Sequence, residues 1–328
     1  MPVNGKGTEH ARRLIFSFRG TTLTPFLREK LERGLAGGVI LFSGNIESPD
    51  QVRELTTRVR SLSPYPVIIS IDQEGGRVQR IRWDGWVLPS AREMGKTMSP
   101  REIEQRGRHL GRKLSEVGVN VNFAPVLDVS GGDEGTVIGD RSFGETPEEV
   151  IRCALPFSEG LSRGGVIPVG KHFPGHGVTD VDSHVELPRS SISREELQQV
   201  HLPPFGAFVR RGFPALMTAH VVYEALDPER PATFSRVILE DLLREKLGFQ
   251  GVTFSDDLKM AAVKSNYSFR EIAEMTVEGG PDFLIFTGPE EEQGELLEEV
   301  IRAGRRKPEA GERIIQRVLR FLSLLPRP

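Results

Sequence analysis

The sequence predicts an α/β fold, a (β/α)8 barrel formed as one domain over residues 1–328, and three observations predict it. Short apolar runs rich in β-branched residues alternate with longer amphipathic segments along nearly the whole chain, the signature of repeated βα units. Eight such runs occur, each followed by a helical pattern, which favours a closed barrel over an open doubly wound sheet. The polar residues that interrupt these runs, Asp72, Lys171, His172, His220 and Asp256, fall at the carboxyl ends of the expected strands. In a barrel those ends open on one face, where the active sites of the fold are found.

In chain order the expected strands are RRLIFSF (12–18), GGVILFS (37–43), PVIISIDQ (66–73), VNVNFAPVLDV (119–129), GGVIPVGKH (164–172), PALMTAH (214–220), GVTFSDD (251–257) and DFLIFTG (282–288). The helices between them carry readable starts. Ser48 precedes a proline at a first helical position, and Thr146, Ser193 and Ser235 stand where a hydroxyl can accept from the free N–H groups of a first turn. Gly248 closes the segment that Ser235 opens. A last amphipathic stretch, ERIIQRVLRFLSLL (312–325), is expected to lie on the outside of the barrel. No low-complexity linker or fixed-period repeat divides the chain, which is why one domain is expected.

Composition narrows the function classes. A net charge of −3, with basic residues interspersed among acidic ones, gives no footprint for nucleic acid. The single cysteine, Cys153 in EEVIRCALPF, reads as a small buried helical residue, and a disulfide framework would need a second. The amino terminus lacks the apolar core of a signal peptide and no later stretch approaches the ~20 apolar residues of a membrane span, so a cytoplasmic protein without membrane contact is expected.

The stretch KHFPGHGVTDVDSH (171–184) gathers a lysine, three histidines and two aspartates in a chain with 7 histidines. As a metal site, His172 and His176 have the i, i+4 spacing of a zinc-binding helix, but Pro174 and Gly175 between them forbid that helix. A loop gathering His172, His176, His184 and Asp182 is the weaker reading, and no metal is expected. As an acid–base site, Asp182 two residues before His184 can fix one imidazole nitrogen and leave the other to exchange a proton with substrate. Glycines 175 and 177 would let the segment swing as a lid, the bland alternative being a solvated surface turn.

In VTFSDDLKM (252–260) Asp256 ends an apolar strand, where a carboxylate can act as nucleophile, base or metal ligand, while Asp257 is placed to cap the next segment. In IDQEGGRVQRI (71–81), Asp72, Glu74, Arg77 and Arg80 surround a Gly-Gly turn that matches no phosphate-binding fingerprint and suits recognition of sugar hydroxyls. Trp83 and Trp86 come next, as a sugar platform or, more simply, as packing for the loop. Arg141, in VIGDRSFGE, reads by itself as an ordinary loop arginine.

Together GGVILFSGN, DQEGGRVQR, NFAPVLDV, GDRSFG, KHFPGHGVTDVDSH, MTAHVVY and GFQGVTFSDDLKM resemble glycoside hydrolase family 3, and within it the single-domain bacterial β-N-acetylglucosaminidases of cell-wall recycling. That resemblance implies a cofactor-free, monomeric (β/α)8 enzyme acting with retention on muropeptides or chitooligosaccharides. It implies Asp256 as nucleophile, Asp182 and His184 as an acid/base dyad, and Asp72, Arg80, Arg141, Lys171 and His172 as the residues that hold N-acetylglucosamine. Gly44 stands where this group usually carries arginine, which touches a loop contact and not the catalytic core. Two other readings stay open at this point: a phosphorylase on the same fold, and a Schiff-base aldolase using Lys171.

Overall fold

The computed structural model describes residues 7–131, 136–177 and 187–325. Nine strand segments form one sheet: β1 (Leu14–Phe16), β2 (Gly38–Leu41), β3 (Ile68–Ile71), β4 (Val121–Asn122), β5 (Ile167–Pro168), β6 (Gly170–Phe173), β7 (Ala215–Thr218), β8 (Val252–Asp257) and β9 (Phe283–Phe286). Neighbours run β5-β4-β3-β2-β1-β9-β8-β7-β6, every pair parallel. The two ends of that order, β5 and β6, are separated in the chain by Val169 alone, whose N–H donates to the Asn122 carbonyl at 3.0 Å. The sheet therefore curls into a nearly closed parallel barrel.

Each expected run contains observed strand, and the alternation along it explains the sidedness. Ile15, Ile40, Ile68, Val121, Phe123, Val169, Met217, Phe254, Phe283 and Ile285 meet inside the barrel. Their chain neighbours Leu14, Phe16, Val39, Leu41, Ile69, Ile71, Leu216, Leu284 and Phe286 pack outward against the helices. Strands buried on both faces must read as continuous apolar runs, and these do. The caps form as expected: Ser48, Thr146 and Ser193 accept from the N–H groups of Gln51, Glu149 and Glu196, and Ser235 accepts from Ile238 at 3.2 Å. Gly248, at φ 74°, ends the helix Val237–Lys246 in the left-handed region. Cys153 is a fully buried free cysteine in the helix Pro147–Arg163.

The terminal helix corrects the sequence reading. Pro308–Leu322 does not lie on the outside of the barrel: Ile314, Val318, Phe321, Leu322 and Leu325 join the interior cluster, with the Phe321 ring 5.9 Å from Phe254 and 5.5 Å from Phe283. The helix is fixed at the amino ends of the strands, where Asp282, just before β9, accepts from Arg317 Nε at 2.7 Å and from Arg244 at 2.8 Å. An open barrel floor would expose those phenylalanines, and the amphipathic face of this helix covers it. The carboxyl ends of the strands are left free.

Candidate active site

At those carboxyl ends lies a cavity of about 220 Å³ lined by Asp72, Arg80, Arg141, Lys171, His172 and Asp256. Six of the residues singled out in the sequence are thus brought together from separate parts of the chain. Asp182 and His184 lie outside the described residues.

One wall is a network of buried charges. Lys171, in β6, meets Asp72 at 2.9 Å and Glu74 at 2.6 Å, while Arg141 grips Glu74 with two bonds, 2.9 Å from Nε and 2.8 Å from a terminal nitrogen. Arg80 completes the set, bonding Asp72 at 3.2 Å. Burial opposes the charges on Glu74 and Lys171, and pairing overcomes it. It would lift the Glu74 carboxyl, yet Arg141 and Lys171 hold it well below the carboxylate range; it would lower Lys171, yet Asp72 and Glu74 raise it. Arg80 Nε remains buried with no hydrogen-bond partner among the described residues, which leaves the network one donor to offer.

The second wall is built round a carboxylate the sequence reading missed. Asp128 is completely buried and accepts from the backbone N–H of His176 at 2.7 Å and of His172 at 3.2 Å, and from His172 Nδ1 at 2.7 Å. That last bond places a proton on Nδ1 and turns Nε2 toward Arg141, at 3.5 Å, and Asp256, at 3.9 Å. The signal was present in VLDVS, a carboxylate ending an apolar run as Asp72 does, but flanking valines made it look like a strand interruption.

Asp256 sits near the end of β8 with its side chain 24% exposed, and its Oδ1 accepts the Asp257 N–H at 2.8 Å. Burial would raise this carboxyl, but His172, His220 and Lys171 together bring it down to about 2. It is therefore an anion throughout the neutral range. Asp257 serves the scaffold instead. It accepts from the Lys259 and Thr287 N–H groups, both at 3.0 Å, and from the Thr287 hydroxyl, tying the end of β8 to that of β9. His220 supports the same strand end, with Nε2 3.2 Å from the Asp257 carbonyl and Nδ1 2.7 Å from Thr233 Oγ1. Burial lowers its pKa while the Asp256 carboxylate opposes the shift, and its Nε2 serves that carbonyl.

The glycines of KHFPGHG fit close packing. Gly175 has φ 135°, and a Cβ there would stand 2.8 Å from His201 Cβ; a Cβ on Gly177 would collide with the Val129 carbonyl. The tryptophans take the simpler of their two readings. Trp83 and Trp86 pack edge to face at 5.1 Å, Trp86 under the Lys113 ammonium, and neither lines the cavity. Among the described residues no group of three or more His, Cys, Asp or Glu is arranged to hold a metal ion, and no helix is long and apolar enough to cross a membrane.

The arrangement offers an ionised carboxylate beside a rigid set of charged donors and acceptors, which can hold hydroxyl groups while the carboxylate attacks. Comparison with known proteins places it. The Glycosyl hydrolase family 3 N terminal domain matches residues 22–324. A protein named Beta-hexosaminidase from Methylococcus capsulatus is 44% identical over 289 residues, 87% of this chain and 85% of its own. Another of that name from Nitrosomonas eutropha is 41% identical over 291 residues, 87% of this chain and 83% of its own. A glycoside hydrolase family 3 β-N-acetylglucosaminidase from Paenibacillus sp. str. FPU-7 has a TM-score of 0.92 at 34% identity over 98% of this chain, which spans 62% of that longer one. NagZ from Neisseria gonorrhoeae, solved with N-trifluoroacetyl-D-glucosamine, has a TM-score of 0.79 at 33% identity, covering 95% of this chain and 97% of its own.

Proposed function

Because the chain belongs to glycosyl hydrolase family 3 and is a glycoside hydrolase, we propose that it is a retaining β-N-acetylglucosaminidase, a β-hexosaminidase that removes terminal non-reducing N-acetylglucosamine from peptidoglycan-derived muropeptides or chitooligosaccharides. The observation that carries this reading is Asp256, an anion at a strand end, opening on the same cavity as the Asp72–Lys171–Glu74–Arg141 network. Relatives named for hexosaminidase activity, similar over most of their length, support the hexosaminide substrate.

In this reading Asp72, Arg80, Arg141, Lys171 and His172 hold the sugar, and Asp256 Oδ2 attacks its anomeric carbon. As that bond forms the glycosidic bond breaks, and His184, oriented by Asp182, gives its proton to the departing oxygen. In the second step His184 takes a proton from water, the water oxygen attacks the same carbon, and Asp256 is released with the β configuration restored. Histidine suits both steps because its ordinary pKa of about 6.5 lies close to neutrality. We read the ring as a (β/α)8 barrel forming one catalytic domain over 1–328, acting as a cytoplasmic monomer without metal or cofactor.

Lys171 does not suit the aldolase. A Schiff-base lysine must present a free amine, and the carboxylates of Asp72 and Glu74 keep this one charged.

The test is product identification from an aryl β-N-acetylglucosaminide with and without millimolar phosphate. Free N-acetylglucosamine in both conditions is the expected result. Sugar 1-phosphate as the main product would replace hydrolysis by phosphorolysis, and no turnover would remove the assignment.

A further inference from the structure

We propose that Tyr223 is a positioning residue for the acid–base step, its hydroxyl and its main chain tying together the two ends of the segment that carries Asp182 and His184. This rests on the acid/base reading of that pair above. After β6 the chain passes Gly175, whose carbonyl accepts from the Tyr223 hydroxyl at 2.7 Å. Beyond the segment the chain returns as Arg189–Ser190, which runs parallel to Val222–Tyr223 with Ser190 in register with Tyr223. There the Val222 N–H donates to the Pro188 carbonyl at 2.9 Å, and the Glu224 N–H to the Ser190 carbonyl at 3.1 Å. One residue just after β7 thus holds the point of departure with its side chain and the point of return with its main chain.

Both ends have further support. The Gly175 N–H donates to the His172 carbonyl at 2.8 Å, the His176 N–H donates to Asp128 at 2.7 Å, and His201 packs so close to Gly175 that no side chain would fit. At the return, Arg189 Nε meets Glu224 at 3.0 Å and a terminal nitrogen donates to the Pro228 carbonyl at 3.0 Å. Tyr223 is 1% exposed, and burial with the nearby Asp128 charge raises its pKa well above the ordinary value, so the phenol stays a donor throughout the neutral range. A buried tyrosine hydroxyl needs a partner, and this one takes a carbonyl 48 residues away at the entry to the segment. General acid help requires the proton within hydrogen-bond reach of the departing oxygen, and a misplacement of about 1 Å can cost about 10²-fold. Fixing both ends of a segment restricts where the residues between them can go. Loosening one end should therefore slow the step that needs His184 and spare attack by Asp256.

The experiment measures kcat/KM of the Tyr223→Phe variant, which keeps the ring and the main-chain pairing and loses one hydroxyl. The substrates are an unactivated disaccharide, N,N′-diacetylchitobiose, and a nitrophenyl β-N-acetylglucosaminide. The disaccharide value is expected to fall about tenfold and the nitrophenyl value by less than about twofold, because the activated leaving group needs little acid help. In a His184→Ala background the same substitution should cost the disaccharide nothing more, since both changes act on one proton transfer. Equal losses on the two substrates, an unchanged disaccharide value, or a further loss in the double variant would each overturn the positioning role alone. Should Tyr223→Phe not fold, Arg189→Ala loosens the return end from the surface; a selective loss of about threefold on the disaccharide is expected, and an unchanged ratio of the two substrates would overturn the proposal. A His184→Ala variant that itself spares the disaccharide would remove the acid/base reading and this proposal with it.

Discussion

Asp128 organises more of the site than any residue that faces the substrate cavity. Burial would push its carboxyl up, and His172, together with the backbone N–H of His176, pulls it below its ordinary value, so that one anion fixes two histidines and the strand end between them. His176, in turn, is held neutral: burial first, then His172, lowers it to about 4. With the cavity histidines committed to holding the fold and the site, the proton exchanged in turnover falls to His184 in the proposed mechanism. His184→Ala is accordingly expected to depress turnover of an unactivated disaccharide about 10²-fold more than that of a nitrophenyl glycoside, whose leaving group needs little acid help. Steady-state kinetics on the two substrates checks this, and equal losses would make the residue a positioning group only. The sequence made Asp72, Lys171, His172 and Asp256 visible because each interrupts an apolar run at its carboxyl end. The supporting roles of Glu74, Asp128 and His220 escaped because these residues act on other protein groups, and a partner buried across the barrel leaves no mark in local spacing.

Among the elements, strands and caps were legible for the same physical reason: burial on both faces demands apolar runs, and free N–H groups demand a hydroxyl or carboxylate at a helix start. The terminal helix was legible only as amphipathic. Its apolar positions 314, 318, 321, 322 and 325 state that one face is buried, but the surface that receives it is a tertiary matter, here the barrel floor. Arg141 is a similar case, an ordinary loop arginine until the chain returns it to Glu74. Because Phe321 is 3% exposed and packs on both Phe254 and Phe283, Phe321→Ala should destabilise the protein by about 3–5 kcal/mol, the cost of a large core truncation. Urea unfolding measures this directly. A loss below about 1 kcal/mol would show that the helix is not integral to the barrel.

For the whole molecule, the buried neutral histidines set a pH limit. Burial, aided by Arg13, lowers His10 to about 3, and His176 is lowered to about 4, from an ordinary value of 6.5 in the unfolded chain. Between pH 6 and 4 the unfolded state therefore binds protons that the folded state refuses, and stability must fall as pH falls. Each histidine contributes a slope of up to about 1.4 kcal/mol per pH unit in that window. Arg13 donates to His10 Nδ1 at 3.2 Å, a bond only the neutral ring can accept, so the His10→Gln variant should lose one histidine's share of the slope. Unfolding free energies at three pH values would show it, and an unchanged slope would mean that His10 is not held neutral by the fold. The central claim, that Asp256 is the nucleophile of a retaining glycosidase, is tested most directly by the intact mass of the protein after reaction with a 5-fluoro-N-acetylglucosaminyl fluoride. One added glycosyl group, located to Asp256 by peptide mapping and absent from the Asp256→Asn variant, is the predicted result; a label on another residue, or turnover that survives in that variant, would contradict it.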